Sequence, residues 1–97
     1  MPTYIALLSY TQKGMENIKE SPSRLDKARE AIKSAGGQLK GFYLTMGGYD
    51  AVSIFEAPDD AAYAKTILSI ASKGNIKTQT LKAFTEDEYR KIISSLT

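Results

Sequence analysis

Four breaks constrain this chain more than any other feature. Gly36-Gly37, Gly47-Gly48, Pro58 and Gly74-Asn75 divide it into segments that each hold one or two short elements. The hydrophobic period changes from segment to segment. Residues 3–10 (TYIALLSY) are short and aromatic-rich, and they read as a strand. Tyr4, Ala6, Leu8 and Tyr10 point one way, and Ile5, Leu7 and Ser9 the other. Residues 11–21 form a connection with weak helical character, with Met15 and Ile18 placed to cover an edge of the core. Ser21 before Pro22 is a candidate N-cap, and Ser23 with Asp26 is a competing capping box. Leu25, Ala28, Ala31, Ile32 and Ala35 then give a helical stripe that Gly36-Gly37 ends.

The second half repeats this rhythm. Residues 38–46 and 49–57 read as two strands joined by a two-residue Gly47-Gly48 hairpin, and Pro58 closes the second. Asp59 or Asp60 caps a helix whose stripe is Ala64, Ile67, Leu68 and Ala71. Residues 76–84 alternate as a fourth strand. Thr85 with Glu88 is a capping box for a last helix striped by Tyr89, Ile92, Ile93 and Leu96. The order β-α-β-β-α-β predicts a single ferredoxin-like α+β domain over 1–97, with an antiparallel four-stranded sheet plus a C-terminal helix.

The strands are apolar on both parities, and this predicts an assembly. Both crossover helices of such a fold cover one sheet face, so a monomer calls for a polar second face. Here strand two offers Phe42, Leu44 and Met46 on one parity and Leu39 and Tyr43 on the other. Strand three offers Val52 and Ile54 against Ala51 and Phe55. Burying five such side chains is worth roughly 1.5–3 kcal/mol each before association costs. A homodimer packed sheet to sheet, or a higher oligomer of dimers, is therefore expected.

Composition narrows the chemistry by subtraction. There is no Cys, His or Trp in the sequence. That excludes thiolate nucleophiles, imidazole bases, Cys/His zinc sites and proximal-His haem from a single chain. No metal or other cofactor is expected. Thirteen basic against eleven acidic side chains give a net charge of +2, too weak to argue for nucleic acid or an anionic membrane. The lysines are dispersed, and no RNA-recognition motif with paired aromatics stands on strand three. Nothing approaches the roughly eighteen apolar residues of a membrane span, and residues 1–10 carry no basic leader. The expected location is cytoplasmic.

The run Met46-Gly47-Gly48-Tyr49-Asp50, then Glu56-Ala57-Pro58-Asp59-Asp60, then residues 74–85 (GNIKTQTLKAFT) resembles the GYD domain family. That family is named for a Gly-Tyr-Asp triplet, here Gly48, Tyr49 and Asp50. Residues 11–14 (TQKG) and 17–22 (NIKESP) resemble its opening. The resemblance covers nearly the whole chain and implies a ferredoxin-like fold of the dimeric α/β-barrel kind. It supplies no mechanism, because better-known relatives of that fold range from cofactor-independent oxygenases and isomerases to ligand-sensing domains of regulators.

Candidate site residues follow from the polar groups on and beside the strands. Tyr49 and Asp50 open strand three. They read most simply as a strand-end aromatic and a backbone tie, and alternatively as a catalytic hydrogen-bond donor and general base. Six tyrosines are the most unusual polar resource. Tyr10 and Tyr43, with the hydroxyls of Ser9, Thr45 and Thr78, are candidates to line a pocket for a small aromatic or apolar ligand between the sheet and the first two helices. The leading expectation is a small-molecule-binding homodimer. An oxygenase- or isomerase-type enzyme and an oligomerisation module without a ligand are the alternatives.

Overall fold

The computed structural model describes residues 1–97. Its elements are β1 (Thr3–Tyr10), α1 (Gln12–Glu16), a 3₁₀ turn (Ile18–Glu20), α2 (Ser21–Ser34), β2 (Gln38–Leu44), β3 (Ala51–Glu56), α3 (Asp60–Ala71), β4 (Ile76–Ala83) and α4 (Glu86–Ser94). The strands form one sheet in the order β2-β3-β1-β4, and every neighbouring pair is antiparallel. This is the β-α-β-β-α-β ferredoxin-like arrangement, with α4 added.

One face of the sheet carries the core. Tyr4, Ala6 and Leu8 of β1 and Ala51 and Phe55 of β3 are buried there, beneath Ile32 of α2 and Tyr63 of α3. Tyr63 stacks on Tyr4 with ring centroids 4.1 Å apart and on Phe55 at 5.0 Å. The buried side of α3 is Tyr63 and Thr66, and Leu68 points to solvent. The stripe predicted for that helix is thus rotated, because the large Tyr63 ring takes the place against the sheet. Met15 and Ile18 are also exposed and cover no core edge.

Local details correct the sequence reading in two further places. Ser21 and Pro22 lie inside the first turn of α2, and Glu20 holds the N-cap position without a side-chain cap bond. The β2–β3 connection is the loop 45–50 and not a two-residue hairpin. Thr45 N–H donates to the Asp50 carbonyl at 2.9 Å, and the Thr45 hydroxyl donates to the Tyr49 carbonyl at 2.6 Å. These bonds close a wider loop, in which Gly47 adopts a φ of 140°. The Thr85–Glu88 capping box of α4 and the Asp59 cap of α3 form as the sequence predicts.

The opposite sheet face is open. Register places Leu81, Ile5 and Ile54 in one row across β4, β1 and β3, and Gln79, Leu7, Val52 and Tyr43 in the next. The central members of these rows are half-buried, while Tyr43 and Leu81 are exposed. α4 does not cover this face: none of its residues is buried, and Tyr89, Ile92, Ile93 and Leu96 all face solvent. The chain is accordingly elongated, 53 × 31 × 17 Å.

Candidate functional site: a cleft between sheet and helices

A cleft of about 340 Å³ lies between the sheet and helices α2 and α3. Its walls come from Leu25, Ala28 and Ile32 on α2, from Ile67 and Ile70 on α3, and from Leu8, Leu39, Phe42, Phe55 and Ile76 on the sheet. Two features of the sequence create it. On the sheet floor the small Ser53 stands among the larger Leu8, Phe42 and Phe55. In addition, a bulge at Lys40 shifts the β2 register between Leu39 and Gly41. Leu39 opposes Phe55 and Phe42 opposes Ser53, so both β2 side chains face the cleft although they stand three apart.

Polar groups are few and placed apart. Ser53 is 7% exposed and lines the floor, and its hydroxyl opens to the cleft. At the mouth, the Tyr10 and Ser21 hydroxyls are 3.3 Å apart. Arg24 lies half-buried in the wall. Its guanidinium donates to the carbonyls of Asn17 at 2.9 Å and Gly14 at 3.4 Å. Glu20, Lys27 and Lys73 complete the charged rim. The mouth is anchored where α1 meets the start of β4. Thr11 N–H donates to the Asn75 carbonyl at 3.1 Å, and a Cβ added at Gly14 would lie 2.1 Å from that same oxygen. Only glycine permits that approach.

The structure separates the residues singled out in the sequence. Tyr10 lines the cleft. Asp50 sits at the strand ends, where its carboxylate accepts from Tyr10 N–H at 2.9 Å and its own N–H donates to the Leu8 carbonyl at 2.8 Å. It thereby ties β1 to the 45–50 loop. The Tyr49 hydroxyl donates to Gln79 Oε1 at 2.5 Å, which lays that side chain toward the open face. Tyr43 is also on the open face, 61% exposed, and Ser9 shares the outward parity of Ile5 and Leu7. The Thr45 hydroxyl is used within its loop. Cleft residues not singled out include Ser53 and Arg24. Ser53 has a mark in the sequence, as the one polar side chain between Ala51 and Phe55 on an apolar strand parity. Arg24 carries no such mark, since a helical arginine ordinarily faces water.

A second polar cluster closes the other end of the core. The Tyr4 hydroxyl donates to the Asp60 carboxylate, and Lys82 Nζ lies 2.9 Å from that carboxylate. Burial first, and the Asp60 hydrogen bond second, push the Tyr4 hydroxyl up to about 12. The bond from Tyr4, followed by that from Lys82, holds Asp60 below the ordinary carboxylate range. The Tyr63 hydroxyl is paired with Thr80. Every polar side-chain atom sealed from solvent has a partner. This end is a finished core, whereas at the other the Ser53 hydroxyl opens to the cleft.

Fold and cleft together define the class: a ferredoxin-like α+β domain with an apolar chamber between its sheet and its two crossover helices. Within that class the chain belongs to the GYD domain family, whose model matches residues 4–93. A protein from Thermus thermophilus named "Glutamine synthetase and cystathionine beta-lyase binding protein" is 36% identical over 84 residues, covering 86% of this chain and 88% of that one. Among solved structures, a feast or famine regulatory protein from M. tuberculosis, complexed with L-methionine, superposes with a TM-score of 0.67 at 13% identity. The match covers 88% of this chain and 51% of that one, so this chain spans about half its length. A 5-chloro-2-hydroxyhydroquinone dehydrochlorinase from Burkholderia phenoliruptrix AC1100 superposes with a TM-score of 0.58 at 14% identity, over 87% of this chain and 94% of that one. These two likenesses show the fold alone. No helix is long and apolar enough to cross a membrane.

Proposed function

We propose that this GYD-domain protein is a homodimeric small-molecule-binding protein, with the ligand in the cleft and the second copy on the open sheet face. The cleft carries the first half of this reading. A volume of about 340 Å³ is at the small end of the roughly 300–1,000 Å³ typical of ligand pockets. Among its apolar walls the Ser53 hydroxyl opens into the cleft and not into sealed core. A core evolved only to pack would fill such a space. The exposed apolar rows on the other face support the second half, since patches of that kind on a lone chain are uncommon.

The test is to narrow the cleft from within. Ala28→Phe places a ring from α2 over the floor. Protein purified gently from its host is expected to carry a small molecule by native mass spectrometry, and the folded Ala28→Phe variant to carry none. Retention of the same mass by the folded variant would remove the cleft as the binding site.

A second reading has its own support. The relative with 36% identity is named as a binding protein for two enzymes. The exposed stripe Tyr89, Ile92 and Ile93 on α4, continued by Leu96 just past its end, has the form of a helix that docks into a partner's groove. In that reading the ligand regulates a complex with an enzyme. Co-elution with purified glutamine synthetase that is lost in an Ile92→Asp/Ile93→Asp variant is the expected result. Unchanged co-elution of that variant would remove α4 as the docking element.

A further inference from the structure

The rim of the cleft carries a charge pattern that selects among ligands. Arg24, Lys27 and Lys73 line it against one carboxylate, Glu20. None of these four side chains forms an ion pair within the chain. Lys13 adds to the excess, because its ammonium sits on the Lys73 carbonyl at 2.8 Å. Arg24 is the most telling of the group. Its two hydrogen bonds go to the carbonyls of Asn17 and Gly14. Carbonyl acceptors orient a guanidinium without cancelling its charge, and an arginine with five N–H donors keeps others free. The Tyr10 and Ser21 hydroxyls stand at the same mouth. Beyond the rim the walls are aliphatic and aromatic, and Ser53 supplies one neutral hydroxyl on the floor.

Resting on the ligand-binding reading of this cleft, we propose that its ligand is a small apolar acid. The carboxylate lies at the cationic rim, with Arg24 as its fixed donor. The apolar body enters between α2, α3 and the sheet, where Ser53 meets a single polar substituent or a water. A neutral apolar ligand gains nothing from the rim, and a cationic one meets an excess of like charge. Charge-assisted hydrogen bonds to a positioned arginine are about twice as strong as neutral ones, so the head group decides the affinity ranking.

The test compares octanoate with octanol, two probes of the same chain length that differ in head-group charge. Both are titrated into the full-length protein, with binding read from amide chemical shifts and calorimetry. Octanoate is expected to bind about tenfold or more tightly than octanol, with shifts at Ser53 and Ile76. Arg24→Gln is expected to remove most of the octanoate preference. If Arg24→Gln does not fold, Lys27→Gln/Lys73→Gln is the second variant, expected to weaken octanoate several-fold at low salt. Equal affinities for the two probes in the unaltered protein would overturn the acid assignment and leave the cleft standing. An unchanged octanoate preference in a folded rim variant would overturn it as well. Failure of both probes to bind, or shifts confined to Tyr43 and Leu81, would overturn the acid assignment and the cleft reading together.

Discussion

The two faces of the sheet use the same strands in different ways. On the helix-covered face, Tyr4, Phe55 and Tyr63 form a stacked aromatic cluster, and the two tyrosine hydroxyls are committed to Asp60 and Thr80. On the open face, Ile5, Leu7, Val52 and Ile54 are equally apolar in type but stay only half-buried. Hydrophobic character alone therefore does not say where a side chain ends up. The helices reach one face, and the chain contains nothing that covers the other. Within the covered face a second contrast appears, between the end closed by Tyr4 and Tyr63 and an aliphatic-walled end that is hollow.

Substitutions can break or sharpen this comparison. The largest effect is expected at the aromatic end. Phe55→Ala removes the largest fully buried side chain of the cluster and should cost about 3–5 kcal/mol in chemical denaturation. A loss of under about 1 kcal/mol there would mean that the closed end is not the core. Tyr4→Phe keeps the ring and deletes the bond to Asp60, and should lower stability by less than Phe55→Ala does.

That bond also gives stability a pH dependence. Tyr4 has a higher pKa folded than unfolded, so its contribution is complete below pH 10 and is lost as pH rises from 10 toward about 12. Asp60 has a lower pKa folded, so its contribution is present above the ordinary carboxylate range and is lost on acidification through its folded value. Tyr4→Phe should flatten the alkaline limb of the stability profile. An alkaline limb unchanged in the variant would mean that another group causes it.

Thr85→Ala removes the N-cap of α4 and should cost about 1 kcal/mol, seen as faster amide exchange confined to that helix. Exchange that quickens in the sheet as well would show α4 to be coupled to the core. The smallest effect on the chain's own stability is expected on the open face. Leu81→Glu should change the fold by no more than about 0.5 kcal/mol. The same substitution should nonetheless split the proposed homodimer, as read by sedimentation. A folded Leu81→Glu variant that stays dimeric would move the interface elsewhere.

The fold was legible because its punctuation is strong. Gly36 adopts a φ of 86° just past the end of α2, and Asp59 and Thr85 cap the helices that follow them. Each is a local device that tertiary packing has little reason to override. The cleft was legible in place and at Tyr10, but not in its other polar residues. Alternation assigned Leu39 and Phe42 to opposite faces, and only the bulge at Lys40, a feature of strand pairing, brings them together. Ser9, expected among the pocket hydroxyls, shares the outward parity of Ile5 and Leu7, while the hydroxyl of the cleft floor is Ser53 on another strand. Gly47-Gly48 suggested a tight turn, but the Thr45 and Asp50 backbone bond closes a longer loop. Arg24 depends on the carbonyls of Gly14 and Asn17, which the 3₁₀ turn brings into reach and which no periodicity reports.

A native mass spectrum of the full chain, purified gently from its host, tests both faces at once. We expect a single species at twice the chain mass, carrying the additional mass of a small acid. A bare species at the mass of one chain would contradict both assignments: the open face would then meet no second copy, and the cleft would hold no ligand.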